Sequence, residues 1–307
     1  MQSLLLLLVA TIATATTCGG YLGTQGIQYS YIWVDNGPRA FCLYKPPNYD
    51  SAVGPRPVIL FLHGDGGDGG SRPQDFRDFA DENNWLLVNL KAAGSGWSFA
   101  DPNPDVKYLQ ALIPALVSNF SVNPWNVFAI GYSSGSYFFG DSPLCTVNRL
   151  SFNSIALTMY TGNVAAYQCN TFNYTNYIWF VGKDDTTNGA DYSDALATCQ
   201  EYARKDGCSG YNSPATTTVG TSPNSVDHIT FGTCSHADVE MYAYQGMGHD
   251  VPLTPTRAVS YIDATQAFFL AHENDKPPGS ANGASTVLVS GLVPLTAMLI
   301  LVQRYLA

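Results

Sequence analysis

The chain has 307 residues, a formal net charge of −10 and a pI near 4.7, which argues against nucleic acid as a partner because phosphate-backbone binding relies on clustered Lys and Arg. Only 12% of its residues are charged, whereas 19 Tyr and 28 Gly are present, so the surface must be polar but largely uncharged, as suits a secreted protein. A single α/β domain commonly uses about 200–250 residues, and one such domain is expected over residues 18–273.

Residues 1–15 read as a signal peptide, with an apolar core from Leu4 to Val9 and the small residues Ala13-Thr14-Ala15 for cleavage, although no Lys or Arg precedes the core. Residues 27–35 and 40–44 alternate as an opening pair of strands around the turn Asn36-Gly37-Pro38. Pro57 to His63 is too apolar for a half-exposed strand and suits one buried on both faces. A helix is predicted over Gln74 to Asn83, a buried strand over Trp85 to Leu90, and a helix over Asp105 to Phe120 that Pro114 should kink. Asn126 to Ile130 is the next strand, and Ser151 to Thr158 and Tyr177 to Val181 extend the sheet. A helix from Ala190 to Lys205, a last strand from Val239 to Tyr244 and a closing helix from Pro255 to Glu273 complete the domain. This alternation of strands and helices implies a mostly parallel central sheet flanked by helices.

Three strand ends carry chemistry. Gly131-Tyr132-Ser133-Ser134-Gly135 follows an apolar strand and precedes a helix, the G-x-S-x-G elbow that exposes a serine on a sharp turn. A serine hydroxyl is a poor nucleophile near neutral pH, so it needs a base and a group that orients the base. Asp185, in Gly182-Lys183-Asp184-Asp185-Thr186, and His249, in Gly246-Met247-Gly248-His249, supply these in the chain order Ser, Asp, His. The loop His63-Gly64-Asp65-Gly66-Gly67 can turn amides toward a ligand. The oxyanion donors expected are Ser134 together with Asp65 or Gly66. His63 reads as a residue fixing that loop, and His228, His236 and His272 as surface or capping residues.

These motifs, together with Asp105-Val106, resemble the secreted polyhydroxybutyrate depolymerase and feruloyl or acetylxylan esterase group, over about residues 28–272. The resemblance implies a single α/β-hydrolase domain and a serine carboxylic-ester hydrolase working through an acyl-enzyme, with no cofactor or metal. It favours Asp185 over Asp184 as the orienting carboxylate, although Val181 and Lys183 depart from the group's pattern, as does Asp250-Val251-Pro252 after the histidine. The implied substrates are feruloyl or acetyl esters of cell-wall polysaccharide, or a polyester. The competing reading is a surface recognition protein that keeps the fold without turnover.

Seven cysteines and the signal peptide point to an oxidising compartment. The resembling group implies a Cys208–Cys234 disulfide; Cys145–Cys169 is the next candidate, and the odd count leaves one thiol free or paired elsewhere. Asn119 and Asn173 open glycosylation sequons. Residues 274–285 have linker composition, and 286–307 form a hydrophobic tail. That tail is either a GPI signal or a transmembrane helix; GPI is favoured because small residues precede it and Pro294 interrupts it. Either anchor would place the domain outside the cell, held at the membrane.

Overall fold

In the computed structural model, the residues described are 27–35, 37–50, 54–67, 76–100, 103–140, 152–162, 174–250 and 257–273. The segments expected to be signal, linker and tail, with Cys145, Cys169 and Asn173, lie outside them. The strands are β1 (Ile27–Val34), β2 (Gly37–Tyr44), β3 (Arg56–Leu62), β4 (Leu86–Leu90), β5 (Val122–Tyr132), β6 (Ser154–Thr158), β7 (Asn176–Gly182), β8 (Ala215–Val219), β9 (Val226–Thr230) and β10 (Val239–Tyr244). They form one sheet in the order β1-β2-β4-β3-β5-β6-β7-β10-β9-β8. The run from β4 to β10 is parallel, and an antiparallel pair closes each edge.

The helices are α1 (Arg77–Asn83), α2 (Pro104–Phe120), α3 (Ser134–Gly140), α4 (Tyr192–Lys205) and α5 (Tyr261–Ala271). They cover both faces, which explains the continuous apolar runs of the central strands. Leu60, Val88, Val127, Leu157 and Trp179 face one core, shared with Leu109 and Leu112 of α2 and with Cys199 and Tyr202 of α4. Ile59, Leu87, Phe128, Ala156 and Phe180 face the other, shared with Phe79 of α1 and with Phe268 and Phe269 of α5. Because successive strand residues point to opposite faces, each strand feeds both cores.

The helix ends differ from the periodicity for local reasons. α4 starts at Tyr192, two residues late, because Asp191 and Asp194 form a reciprocal capping box. α5 starts at Tyr261 rather than Pro255, with Ser260 accepting from the Asp263 amide. α2 begins at Pro104, where the Asn103 side chain accepts from the amides of Asp105 and Val106, and it runs unbroken past Pro114. The β8–β9 hairpin adds a strand without an apolar pattern: β8 is Ala-Thr-Thr-Thr-Val, exposed throughout.

Cys208 and Cys234 form a disulfide. Cys42 is also disulfide-bonded, and Cys199 is a free thiol in the core. The Cys208–Cys234 bridge closes a separation of 26 residues, for which the chain-entropy argument gives about 3.5 kcal/mol. The Cys208→Ala/Cys234→Ala protein should therefore unfold at lower urea, and equal midpoints would refute that contribution.

Asp206, just after α4, is fully buried, and neither carboxylate oxygen has a hydrogen-bond partner among the described residues. Burial, and then the charge of Asp238, push its pKa up to about 8. The folded state therefore holds this proton where the unfolded chain, near pH 4, has lost it. The stability tied to that proton is complete below about pH 4 and is lost as pH rises through about 8, at up to about 1.4 kcal/mol per pH unit. Urea midpoints should accordingly show Asp206→Asn gaining on the wild type between pH 5 and 8; a constant difference would refute the shift.

Candidate active site

The end of β5 turns directly into α3 at Ser133, whose φ of 49° is left-handed, a strained conformation for a residue with a side chain. Close packing imposes the flanking glycines. A Cβ on Gly131 would stand 2.6 Å from the Ser136 nitrogen, and one on Gly135 would stand 2.3 Å from the Leu62 carbonyl oxygen of β3. The end of β6 pins the turn: the Ser133 amide donates to the Thr158 carbonyl at 2.9 Å, and the Ser136 hydroxyl donates to the same carbonyl at 2.8 Å.

Asp185 and His249 arrive from the ends of neighbouring parallel strands. The turn after β7 is tied to the segment after β10 by Lys183 N–H to Tyr244 O at 2.9 Å and Asp184 N–H to Met247 O at 2.8 Å. Lys183, where the resembling group has another residue, makes a 2.5 Å ion pair with Asp227 of β9. Asp184 points to solvent, whereas the Asp185 side chain is fully buried. Asp185 Oδ2 lies 2.7 Å from His249 Nδ1, and His249 Nε2 lies 2.8 Å from Ser133 Oγ. The second Asp185 oxygen accepts from the Thr187 amide at 2.9 Å. Burial would raise the pKa of this carboxyl, but the hydrogen bonds from His249 and Thr187 outweigh it and hold the group below the usual carboxylate range. With Asp185 ionised, Nδ1 carries the imidazole proton and Nε2 is left to accept from the serine.

The loop after β3 corrects one expectation. The Gly66 amide donates to the Ser95 carbonyl at 2.7 Å, so it is not open to an oxyanion. Among the described residues, the amides of Asp65 and Ser134 have no such acceptor. His63 is buried; its Nδ1 donates to the Gly64 carbonyl at 2.7 Å and its Nε2 accepts from the Ala92 amide at 3.1 Å. This fixes its tautomer and gives it the loop-holding place read from the sequence. Trp97 is buried against His63 and Phe138. His272 caps α5 from a buried position and bonds to Asp238 at 3.2 Å, and His228 stacks on Tyr242. Asn119 is exposed near the end of α2. A cavity of about 600 Å³ lined by His236, Asp238, Glu240 and His272 lies at the opposite ends of β7 and β10 from Ser133. No cluster suited to holding a metal ion occurs among the described residues.

No family model matches the chain. A curated protein of Nocardia uniformis subsp. tsuyamanensis, NocK, named as an esterase, is 32% identical over 107 residues, which is 32% of this chain and 31% of that protein. The match thus spans about a third of that relative's length. Among solved structures, an acetyl xylan esterase from Aspergillus awamori superposes with a TM-score of 0.56 at 16% identity, over 79% of this chain and 98% of its own. A fungal esterase structure from Rhizomucor miehei gives 0.51 at 14% identity, over 80% and 83%. An S-formylglutathione hydrolase from Agrobacterium tumefaciens gives 0.51 at 11%, over 80% and 94%. At such identities the likeness is one of architecture, and with the strand order and elbow described above it establishes that the chain has the α/β-hydrolase fold.

Proposed function

We propose that this protein is a serine carboxylic-ester hydrolase with Ser133, His249 and Asp185 as its triad. The observation that carries the reading is the unbroken relay from Asp185 Oδ2 through the imidazole to Ser133 Oγ, with both contacts under 3 Å. In the reaction, Ser133 Oγ attacks the ester carbonyl while His249 Nε2 takes its proton. The amides of Ser134 and Asp65 stabilise the tetrahedral oxyanion, at about 3 kcal/mol per donor. The imidazolium then protonates the departing alkoxide, leaving an acyl group on Ser133, and water repeats the sequence to release the acid. The buried carboxylate of Asp185 holds the tautomer and offsets the charge formed on the ring.

The substrate class rests on the motif resemblance: feruloyl or acetyl esters of cell-wall polysaccharide first, then polyhydroxyalkanoate-type polyester. The leader, the linker and the tail support an extracellular enzyme kept at the cell surface by a GPI anchor attached near Gly279 to Asn282. Release of the protein from membranes by phospholipase C is the expected result, and retention would favour a spanning helix. Turnover by the purified protein should be measured on p-nitrophenyl acetate, methyl ferulate, acetylated xylan and short polyhydroxybutyrate. Hydrolysis of one or more is expected, and inertness toward all four would favour the recognition protein.

A further inference from the structure

The geometry points to Asp105, paired with Arg39, as a positioning residue that sets the oxyanion pocket through the loop of residues 91–98. This rests on the reading of Ser133 as the acyl-accepting nucleophile. The loop leaves the end of β4 and returns toward α2, and the ion pair holds it on both sides. Asp105 Oδ1 accepts from the Ala93 amide at 3.2 Å, and Oδ2 from the Ser98 amide at 2.7 Å. Arg39, on β2, bonds to Asp105 Oδ1 and donates to the Lys91 carbonyl at 3.1 Å. Its guanidinium lies over the Tyr108 ring, 4.3 Å from the centroid. The Asp105 side chain is wholly buried and that of Arg39 nearly so.

Between these ties, the loop holds the chain that carries the proposed oxyanion donors. The Ala92 amide donates to His63 Nε2 at 3.1 Å, the Trp97 indole to the His63 carbonyl at 2.8 Å, and the Ser95 carbonyl takes the Gly66 amide at 2.7 Å. Gly96 sits against the side chains of the two donor residues: a Cβ there would stand 2.0 Å from Asp65 Oδ1 and 3.2 Å from Ser134 Oγ. The Trp97 amide donates to Ser134 Oγ at 3.4 Å.

Helix capping does not account for Asp105. Asn103 already takes the first amides of α2, leaving both Asp105 oxygens to the loop and to Arg39. A buried carboxylate with its counter-ion fixes geometry well, because moving either partner leaves a charge uncompensated in a poorly solvating interior. Oxyanion stabilisation is sensitive to that geometry, as an ångström of displacement can cost about a hundredfold in rate.

The test compares wild type, Asp105→Asn, Gly96→Ala and Asn153→Ala on p-nitrophenyl acetate, with phenylboronic acid as a probe that forms a tetrahedral adduct on the serine. Asn153 bonds to the Trp125 and His272 carbonyls at the far end of the sheet, so its loss serves as a control for destabilisation alone. Asp105→Asn should lower kcat at least about tenfold with KM changed less than about twofold, and should weaken phenylboronic acid by a similar factor. Gly96→Ala disturbs the same pocket without touching the ion pair and should give the same pattern, so the inference stays testable if Asp105→Asn does not fold. Asn153→Ala should lose stability and keep its kcat. An active wild type with kcat and boronate affinity unchanged in Asp105→Asn, or in Gly96→Ala should the former not fold, would overturn the positioning role alone. A wild type that neither turns over ester nor reacts with a fluorophosphonate would overturn the esterase reading and this inference with it.

Discussion

Ser133→Ala and His249→Ala should each lower ester turnover by roughly a millionfold, and the double variant should lose hardly more than either alone. The cause is that Oγ and Nε2, 2.8 Å apart, act as one unit: a base without a nucleophile and a nucleophile without a base are equally idle. Neither change should cost much stability. His249 keeps about a quarter of its side-chain surface in solvent, and Ser133 contributes its strained backbone whatever its side chain carries. Steady-state kinetics with thermal melts on all three proteins would check this. Near-normal kcat in Ser133→Ala would place the nucleophile elsewhere.

Asp185→Asn should lower kcat by about ten-thousandfold with the site otherwise intact. An amide can donate to His249 Nδ1 where the carboxylate only accepts, which would place the proton on Nε2, facing Ser133, where it blocks proton transfer. The pH dependence separates this effect from a general loss of charge. Because the folded-state pKa of Asp185 is lowered, the stability that its carboxylate contributes is present above the unfolded value, about 3.9, and is lost as pH falls through the lower folded value. Asp185 is therefore ionised throughout the neutral range, and a defect of several orders of magnitude in Asp185→Asn should persist from pH 6 to 9. Recovery of the variant within that range would assign the carboxylate a different part.

The central sheet was legible because its strands are buried on both faces: runs such as Val58 to Leu62 and Tyr177 to Val181 have no other stable use at that length. The arrangement of Ser133, His249 and Asp185 was legible for a related reason, since this topology delivers strand ends to one edge in a fixed order, and the glycines around Ser133 mark backbone contacts that any side chain would prevent. What could not be read depends on distance or on exposure. Arg39 and Asp105 are 66 residues apart and meet only once β2 pairs with β4. The choice between the Asp65 and Gly66 amides turns on one carbonyl, that of Ser95, from a loop with no periodic signal. Among the described strands β8 pairs with β9 alone, and a strand with no buried face leaves no hydrophobic trace.

The central claim is that Ser133 is an activated nucleophile, and a fluorophosphonate probe followed by peptide mapping tests it most directly. The expected result is one covalent adduct per chain, on Ser133, formed rapidly by the wild type and absent from Ser133→Ala and His249→Ala. An unlabelled wild type, or an adduct on another residue that persists in Ser133→Ala, would contradict the account.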